Sequence, residues 1–233
     1  MQFQQAKRGT RVPKILLGGP AGGGKTLSSL KLLTGLIGKD KTIVLLDSEN
    51  GSATIYADRY NFLHGNIEKS DQTVSGYIKA MSAALEAGAQ GLIVDGITPV
   101  WQAILDKSAS MEGNSFTNWS KLTPLYQQFI QFIIDFPIPL ICTSRSKQSY
   151  VLEENSQGKM VPKKVGLELV SGKDIDYEFD MVFRIDQKTH SAIIDKCRYA
   201  ELDQYFVERA GEVQLDEEVG TVIRKIVKGE KIK

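Results

Sequence analysis

Cysteine is almost absent from this 233-residue sequence: Cys142 and Cys197 are the only two, far apart and without a metal-like spacing. That excludes a disulfide framework and a zinc module, and it makes a reducing compartment the default. Histidine is equally scarce. His64 and His190 have no cysteine or carboxylate cluster around them in sequence, so both read as structural or surface residues. No apolar stretch reaches the roughly 18 residues of a membrane span. The start, MQFQQAKRGTRVPK, lacks the apolar run of a secretory leader. The expected setting is cytoplasmic, with no membrane partner. An excess of one charge is missing too, with 29 Lys and Arg against 28 Asp and Glu, so any polyanion site has to be a local patch. There is no internal repeat and no clear linker. What remains is 42% hydrophobic and 24% charged, the composition of a globular chain long enough to bury a core without staples.

The apolar run Ile15–Leu17 ends in a glycine-rich turn, Gly18 to Gly24. Leu27, Leu30, Leu33 and Ile37 then recur at helical spacing, and Gly38 closes the segment. A short strand-like run, Ile43–Leu46, follows. Two more such runs each come after a helical stretch: Leu92–Val94 after Tyr77–Ala87, and Ile138–Cys142 after Leu125–Phe136. Helices alternating with short buried strands predict a mainly parallel α/β sheet. Beyond Ser144 the texture changes. Asn155-Ser156-Gln157-Gly158 reads as the turn of a protruding hairpin or loop. Met181–Ile185 and Ala192–Ile194 read as an antiparallel pair, and Val213–Ile226 as a weakly amphipathic helix before a basic tail. The expected organisation is a single domain over residues 1–233. It has an N-terminal arm at 1–12, a protrusion at 146–172 and a C-terminal extension at 200–233.

The segment Gly19-Pro20-Ala21-Gly22-Gly23-Gly24-Lys25-Thr26 fits G-x-x-x-x-G-K-[ST] at every fixed position. Glycines let such a loop wrap so that successive N–H groups point at phosphate oxygens. The helix opening at Lys25, Thr26 and Leu27 aims its free N–H groups and positive dipole end at the anion. Lys25 can reach the β- and γ-phosphates, and the Thr26 hydroxyl can hold Mg²⁺ between them. Gly19, Gly22, Gly23, Gly24, Lys25, Thr26 and Leu27 are therefore the expected nucleotide contacts, with ATP and Mg²⁺ as the expected ligands.

Such a loop needs a carboxylate from another strand, and Leu92-Ile93-Val94-Asp95 supplies one. At the C-terminal edge of a parallel sheet, Asp95 would face the Mg²⁺ shell, although Asp95-Gly96 is also a common turn pair. Ile43–Leu46 ends in Asp47-Ser48-Glu49. If this strand neighbours the loop strand, Glu49 can orient and polarise a water behind the γ-phosphate; a solvated loop is the alternative. Farther on, Asp195-Lys196-Cys197-Arg198 places two cations at i and i+2, on one side of an extended segment. They form a solvent-facing edge, or they wait for an anion.

Asp47-Ser48-Glu49, Tyr56 seven residues later, and Leu92–Asp95 resemble the RecA-core ATPases, the recombinases and ring helicases. The resemblance implies a RecA-like P-loop core: a mainly parallel central sheet flanked by helices, with a C-terminal antiparallel strand pair. It implies that Glu49 activates water and that Tyr56 stacks near adenine. Lys-x-Arg after a late strand resembles the segment that hexameric RecA-like ATPases push into the next subunit's site, so Lys196 and Arg198 would act in trans within a ring or filament. Asp47–Gly51, Pro162–Gly166, Tyr177–Asp180, His190 and Lys196–Arg198 together resemble small phage-encoded P-loop proteins described as AAA-type or RecA-like. Among these is a branch of single-strand-annealing recombinases that work with single-stranded-DNA-binding proteins. The likeness spans roughly residues 13 to 200. It implies an ATPase of the bacterial host cytoplasm, acting on single-stranded DNA in recombination or annealing. The chain departs from the recombinases at Cys142-Thr143-Ser144-Arg145, where a glutamine would stand.

Two segments suit a DNA strand, which needs cations for phosphates and aromatic faces for bases. One has Arg145, Lys147, Lys159, Lys163, Lys164 and Lys173 with Tyr150; the other is a loop expected at Lys107–Lys121, with Asn114, Phe116, Asn118 and Trp119. Two other functions stay open. One is a P-loop kinase for a small molecule, although Ser146–Lys164 lacks the arginines of a closing lid. The other is a nucleotide-gated assembly or adaptor module that barely hydrolyses ATP.

Overall fold

The computed structural model describes residues 3, 5, 8, 11–154, 160–172 and 175–232. Its strands are β1 (Lys14–Gly19), β2 (Ile43–Asp47), β3 (Leu63–Asn66), β4 (Gly91–Asp95), β5 (Leu140–Glu154), β6 (Met160–Leu169), β7 (Met181–Ile185), β8 (Ser191–Cys197) and β9 (Val213–Gln214). Its helices are α1 (Lys25–Ile37), α2 (Val74–Glu86), α3 (Thr98–Ser110), α4 (Ser115–Asp135), α5 (Ala200–Val207) and α6 (Glu217–Lys228). The strand order is β3-β2-β4-β5-β1-β7-β8-β9, and β6 pairs with β5 off this path. Pairing is parallel from β3 through β7 and antiparallel for β7–β8, β8–β9 and β5–β6. This is the P-loop α/β architecture read from the sequence: a mostly parallel sheet, flanking helices and antiparallel strands at the C-terminal side.

Strand alternation sends the core to both faces of the sheet. Ile15 and Leu17 of β1 join Leu30, Leu33, Phe206 and Ile223 under α1, α5 and α6. Leu16 between them joins Tyr77, Met81, Ile104 and Phe129 under α2, α3 and α4. The helix behind the glycine loop is gripped closely. A Cβ at Gly35 would lie 2.0 Å from the Glu217 carbonyl, and one at Gly220 would lie 2.2 Å from that of Leu32. Only glycine lets α1 and α6 approach so near, and α1 is thereby held in place. In α6, Asp216 caps the first turn by accepting from the Val219 N–H at 2.9 Å, and Gly229 ends the helix at φ 75°.

Several expectations change. Lys107–Lys121 is not a loop: α3 runs to Ser110, and Asn114 caps α4 by accepting from the Phe116 N–H at 2.9 Å. The helix expected from Leu125 starts ten residues earlier, because α4 continues through Pro124, which reads in sequence as a helix start. Val213–Gln214 is strand, so the last helix begins at Glu217. The hairpin is present as β5–β6, paired from Ser146–Leu169 to Glu154–Met160. The turn expected at residues 155–158 lies outside the described residues. β2 does not neighbour β1, because β4 and β5 stand between them.

Candidate functional site

The loop after β1 needs two left-handed residues, Gly22 at φ 74° and Gly24 at φ 86°. The Gly23 N–H closes the turn on the Pro20 carbonyl at 3.2 Å. Ser28 makes the first intrahelical bond of α1, its N–H reaching the Gly24 carbonyl at 2.9 Å. The N–H groups of Lys25, Thr26 and Leu27 thus form the open end of the helix. No acidic side chain occupies this first turn, so the positive end of the helix is left for an anion. Lys25 Nζ donates to the Pro20 carbonyl at 2.9 Å and so arches over the loop. Burial lowers its pKa, against the opposing pull of Asp95 and Glu49. An anionic ligand would stabilise its charge there.

Asp95 ends β4 and is only 5% exposed. The Thr26 hydroxyl donates to its Oδ2 at 2.5 Å, and the Thr143 hydroxyl to its Oδ1 at 2.5 Å. Burial raises its pKa, and the two hydroxyls oppose that rise. The backbone beyond it is pinned. Ser48 Oγ accepts from the Gly96 N–H at 3.0 Å, and Tyr77 donates to the Gly96 carbonyl at 2.7 Å. Thr143, Ser48 and Tyr77 fall within segments singled out in the sequence, but none has a site role there. Thr143 alone carried a signal, as the polar residue that follows the apolar run Ile138–Cys142.

Asp47 is not a solvated loop residue. It is fully buried and accepts from the Glu49 N–H at 2.6 Å and the Ala53 N–H at 2.9 Å. It therefore staples the turn that carries Glu49. The Glu49 carboxylate pairs with Arg145, where β5 leaves β1 and runs on into the hairpin with β6, from Nη2 at 2.6 Å and Nε at 3.1 Å. The Cα of Arg145 is paired with that of Gly19. Glu49 thus approaches the loop through Arg145 of β5 and not from a strand beside β1. Tyr56 ends the short turn Ser52–Tyr56 and is half-buried against the same core as α1.

The tip of the β7–β8 hairpin braces the loop from outside. Gln187 Nε2 donates to the Ala21 carbonyl at 2.9 Å, and His190 Nδ1 lies 3.2 Å from the Gly23 carbonyl. In sequence Gln187 reads as an ordinary turn residue, and His190 is marked only by the family resemblance and not by this contact. Lys196 and Arg198 lie at the other end of the sheet, where Cys197 pairs with Met181 and Met181 with Ile15. That is the length of β1, roughly 15 Å by strand rise, from their own loop. Lys196 Nζ donates to the carbonyls of Asp176 at 2.9 Å and Tyr177 at 2.5 Å. Arg198 donates to the Tyr177 carbonyl at 3.0 Å and pairs with buried Asp180 at 3.4 Å.

The expected strand-binding surfaces are partly committed elsewhere. Trp119 stacks on Trp101 at 5.7 Å, and Asn118 is buried, donating to the Met111 carbonyl at 3.1 Å. Phe116 stays exposed. Lys147 pairs with Glu168 at 3.7 Å. Residues Lys159 and Lys173, and the side chains of Tyr150, Lys163 and Lys164, lie outside what is described.

A family model described as an AAA domain matches residues 11–218. The chain belongs to the AAA-domain family. The comparison with curated proteins gave no match. An AAA domain is a P-loop, ATPase-type nucleotide-binding domain, usually working with Mg²⁺, and the geometry fits both ligands. The loop and open helix end suit a polyphosphate. Among the described residues, no cluster of three or more His, Cys, Asp or Glu makes a protein-only metal cage. One hydroxyl and one carboxylate, Thr26 and Asp95, form the sparse donor set that suits Mg²⁺ completed by phosphates and water. No described helix is long and apolar enough to cross a membrane.

Proposed function

We propose that this AAA-domain chain is an Mg²⁺-dependent ATPase that acts on single-stranded DNA in phage recombination or annealing. The observation that carries the ATPase reading is the joining of Thr26 to Asp95 at the mouth of the glycine loop. The loop N–H groups and Lys25 bind the β- and γ-phosphates. Thr26 and Asp95 hold the metal, which when bound offsets negative charge on those phosphates. Glu49, freed from Arg145, orients the attacking water and polarises it. Tyr56 offers a face to the base. Lys196 and Arg198 lie too far from their own loop to serve it, which supports their use on a neighbour's γ-phosphate in a ring or filament. The DNA role rests on the Asp47–Gly51 and Lys196–Arg198 resemblance and on the cations of the β5–β6 hairpin; a single-stranded-DNA-binding protein is the matching partner. The test is ATP turnover against protein concentration, with and without single-stranded DNA. A rate that rises with both supports assembly and substrate together. A rate indifferent to DNA removes the DNA role.

One observation favours a second reading, that of a nucleotide-gated assembly module. Arg145 occupies Glu49, and a glutamate so paired is a poor base. Single-turnover hydrolysis in the assembled protein separates the two, since the module would bind ATP and leave it intact.

A further inference from the structure

Arg145 faces two demands. Both its Nη2 and its Nε donate to one oxygen, Glu49 Oε1. Arg145 also lines a cavity of about 320 Å³ between the end of β2, the turn Lys69–Asp71 and α3. None of residues Gly19–Thr26 contributes to that cavity, so it is separate from the phosphate loop. Its walls set the Ser48 hydroxyl, the amides of Gln72 and Gln102 and the cations Lys69 and Arg145 beside apolar Pro99 and Ala103. Its one carboxylate, Asp106, already accepts from Gln102 Nε2 at 2.8 Å. Lys69 is exposed and makes no ion pair among the described residues.

Gln72 Nε2 donates to the carbonyls of Ser48 at 2.9 Å and Ile67 at 3.3 Å, so the two cations are what suit an anion with several acceptor oxygens, and a guanidinium fork matches phosphate as well as carboxylate. The Arg145–Glu49 pair is open to competition, because its side chains are 58% and 46% exposed and such pairs are weak. The main chain of Glu49 is held in place, because its N–H is fixed to buried Asp47. We propose that this cavity binds a phosphate ester, and that its occupant draws Arg145 off Glu49 and frees the carboxylate. The ester is a backbone phosphate of a single strand or a small free phosphate. This rests on Glu49 directing water, and it adds a positioning role for Arg145: an occupied cavity releases Glu49 for hydrolysis.

Linkage supplies a test that does not depend on turnover. If the occupant must break the pair, removing the Glu49 charge must tighten its binding, and only while Arg145 is present. Anisotropy of a labelled oligothymidylate is measured on the intact protein with a non-hydrolysable ATP analogue. Glu49→Gln is expected to bind about two- to fivefold tighter, the range that an exposed ion pair allows. In an Arg145→Ala background the same change should have no effect. Lys69→Ala should weaken binding by about tenfold or less, a loss on the scale of one charge-assisted contact. Calorimetric titration with inorganic phosphate and with glycerol 3-phosphate separates the sources. The same tightening with these assigns the small ligand, and tightening with the oligonucleotide alone assigns the strand. Neither probe binding tighter to Glu49→Gln overturns the proposal, as does unchanged binding by Lys69→Ala. Wild-type hydrolysis by Glu49→Gln would instead sink the water-directing role, whatever the binding shows.

Discussion

At the C-terminal ends of β1 and β4, and where β5 leaves β1, Lys25, Thr26, Asp95 and Arg145 surround a loop whose following helix is left open at its N-terminus. At the opposite ends, Arg11, Lys196 and Arg198 are each tied to a carbonyl or to the fully buried Asp180. The first region holds unused donors and a carboxylate kept under burial stress. The second uses its Asp180 for structure: the carboxylate accepts from Arg11 at 2.5 Å and from the Lys14 N–H at 3.0 Å. Lys25 and Arg145 also rest on partners of the chain's own, the Pro20 carbonyl and Glu49, so what sets the first region apart is the open N-terminus of α1 beside them.

The strongest way to break that contrast is at the loop. Lys25→Ala should abolish ATP turnover, and unchanged turnover would refute the site. Arg198→Ala should lose about a thousandfold in turnover while binding nucleotide normally, the scale of a missing arginine finger. Mixing it with Lys25→Ala should restore part of the rate, since each variant supplies what the other lacks. No recovery on mixing would leave the second region purely structural. Glu49→Gln should keep nucleotide affinity and slow hydrolysis by about a hundredfold or more; lost binding would make Glu49 structural.

The smallest effects compare one chemical change at both ends. Asp180→Asn should destabilise the protein by about 1–3 kcal/mol, through weakened bonds to Arg11 and the Lys14 N–H. Asp95→Asn should do the opposite in the ligand-free protein. Because burial raises the Asp95 pKa, the folded state holds this proton more tightly than the unfolded chain. Stability therefore falls as pH rises from the ordinary carboxylate range through the raised folded value. At pH 8 the Asn variant should melt higher than wild type, with the gap closing in acid. Thermal melts from pH 4 to 8 check both signs.

The sequence made the loop legible because its chemistry demands fixed residues at fixed spacing. Asp95 was legible as an acid ending an apolar strand. Strand order was not: the distance from Ile43 to Lys14 in sequence says nothing about the two strands that lie between them. Arg145 showed as a departure from the recombinases and as a cation of an expected strand-binding segment, and its pairing with Glu49 depends on β4 alone standing between β2 and β5. Pro124 hid the first half of α4, since a proline inside a long helix looks like its start. Gln187 and His190 brace the loop through backbone carbonyls, which accept from many residue types, so the bracing was not legible even though His190 belongs to the family resemblance.

A crystal structure with Mg²⁺ and a non-cleavable ATP analogue tests the central claim most directly. It should show the β- and γ-phosphates within hydrogen-bonding distance of the N–H groups from Gly22 to Thr26, with the metal beside Thr26 and Asp95. A nucleotide bound elsewhere, with this loop empty, would contradict it.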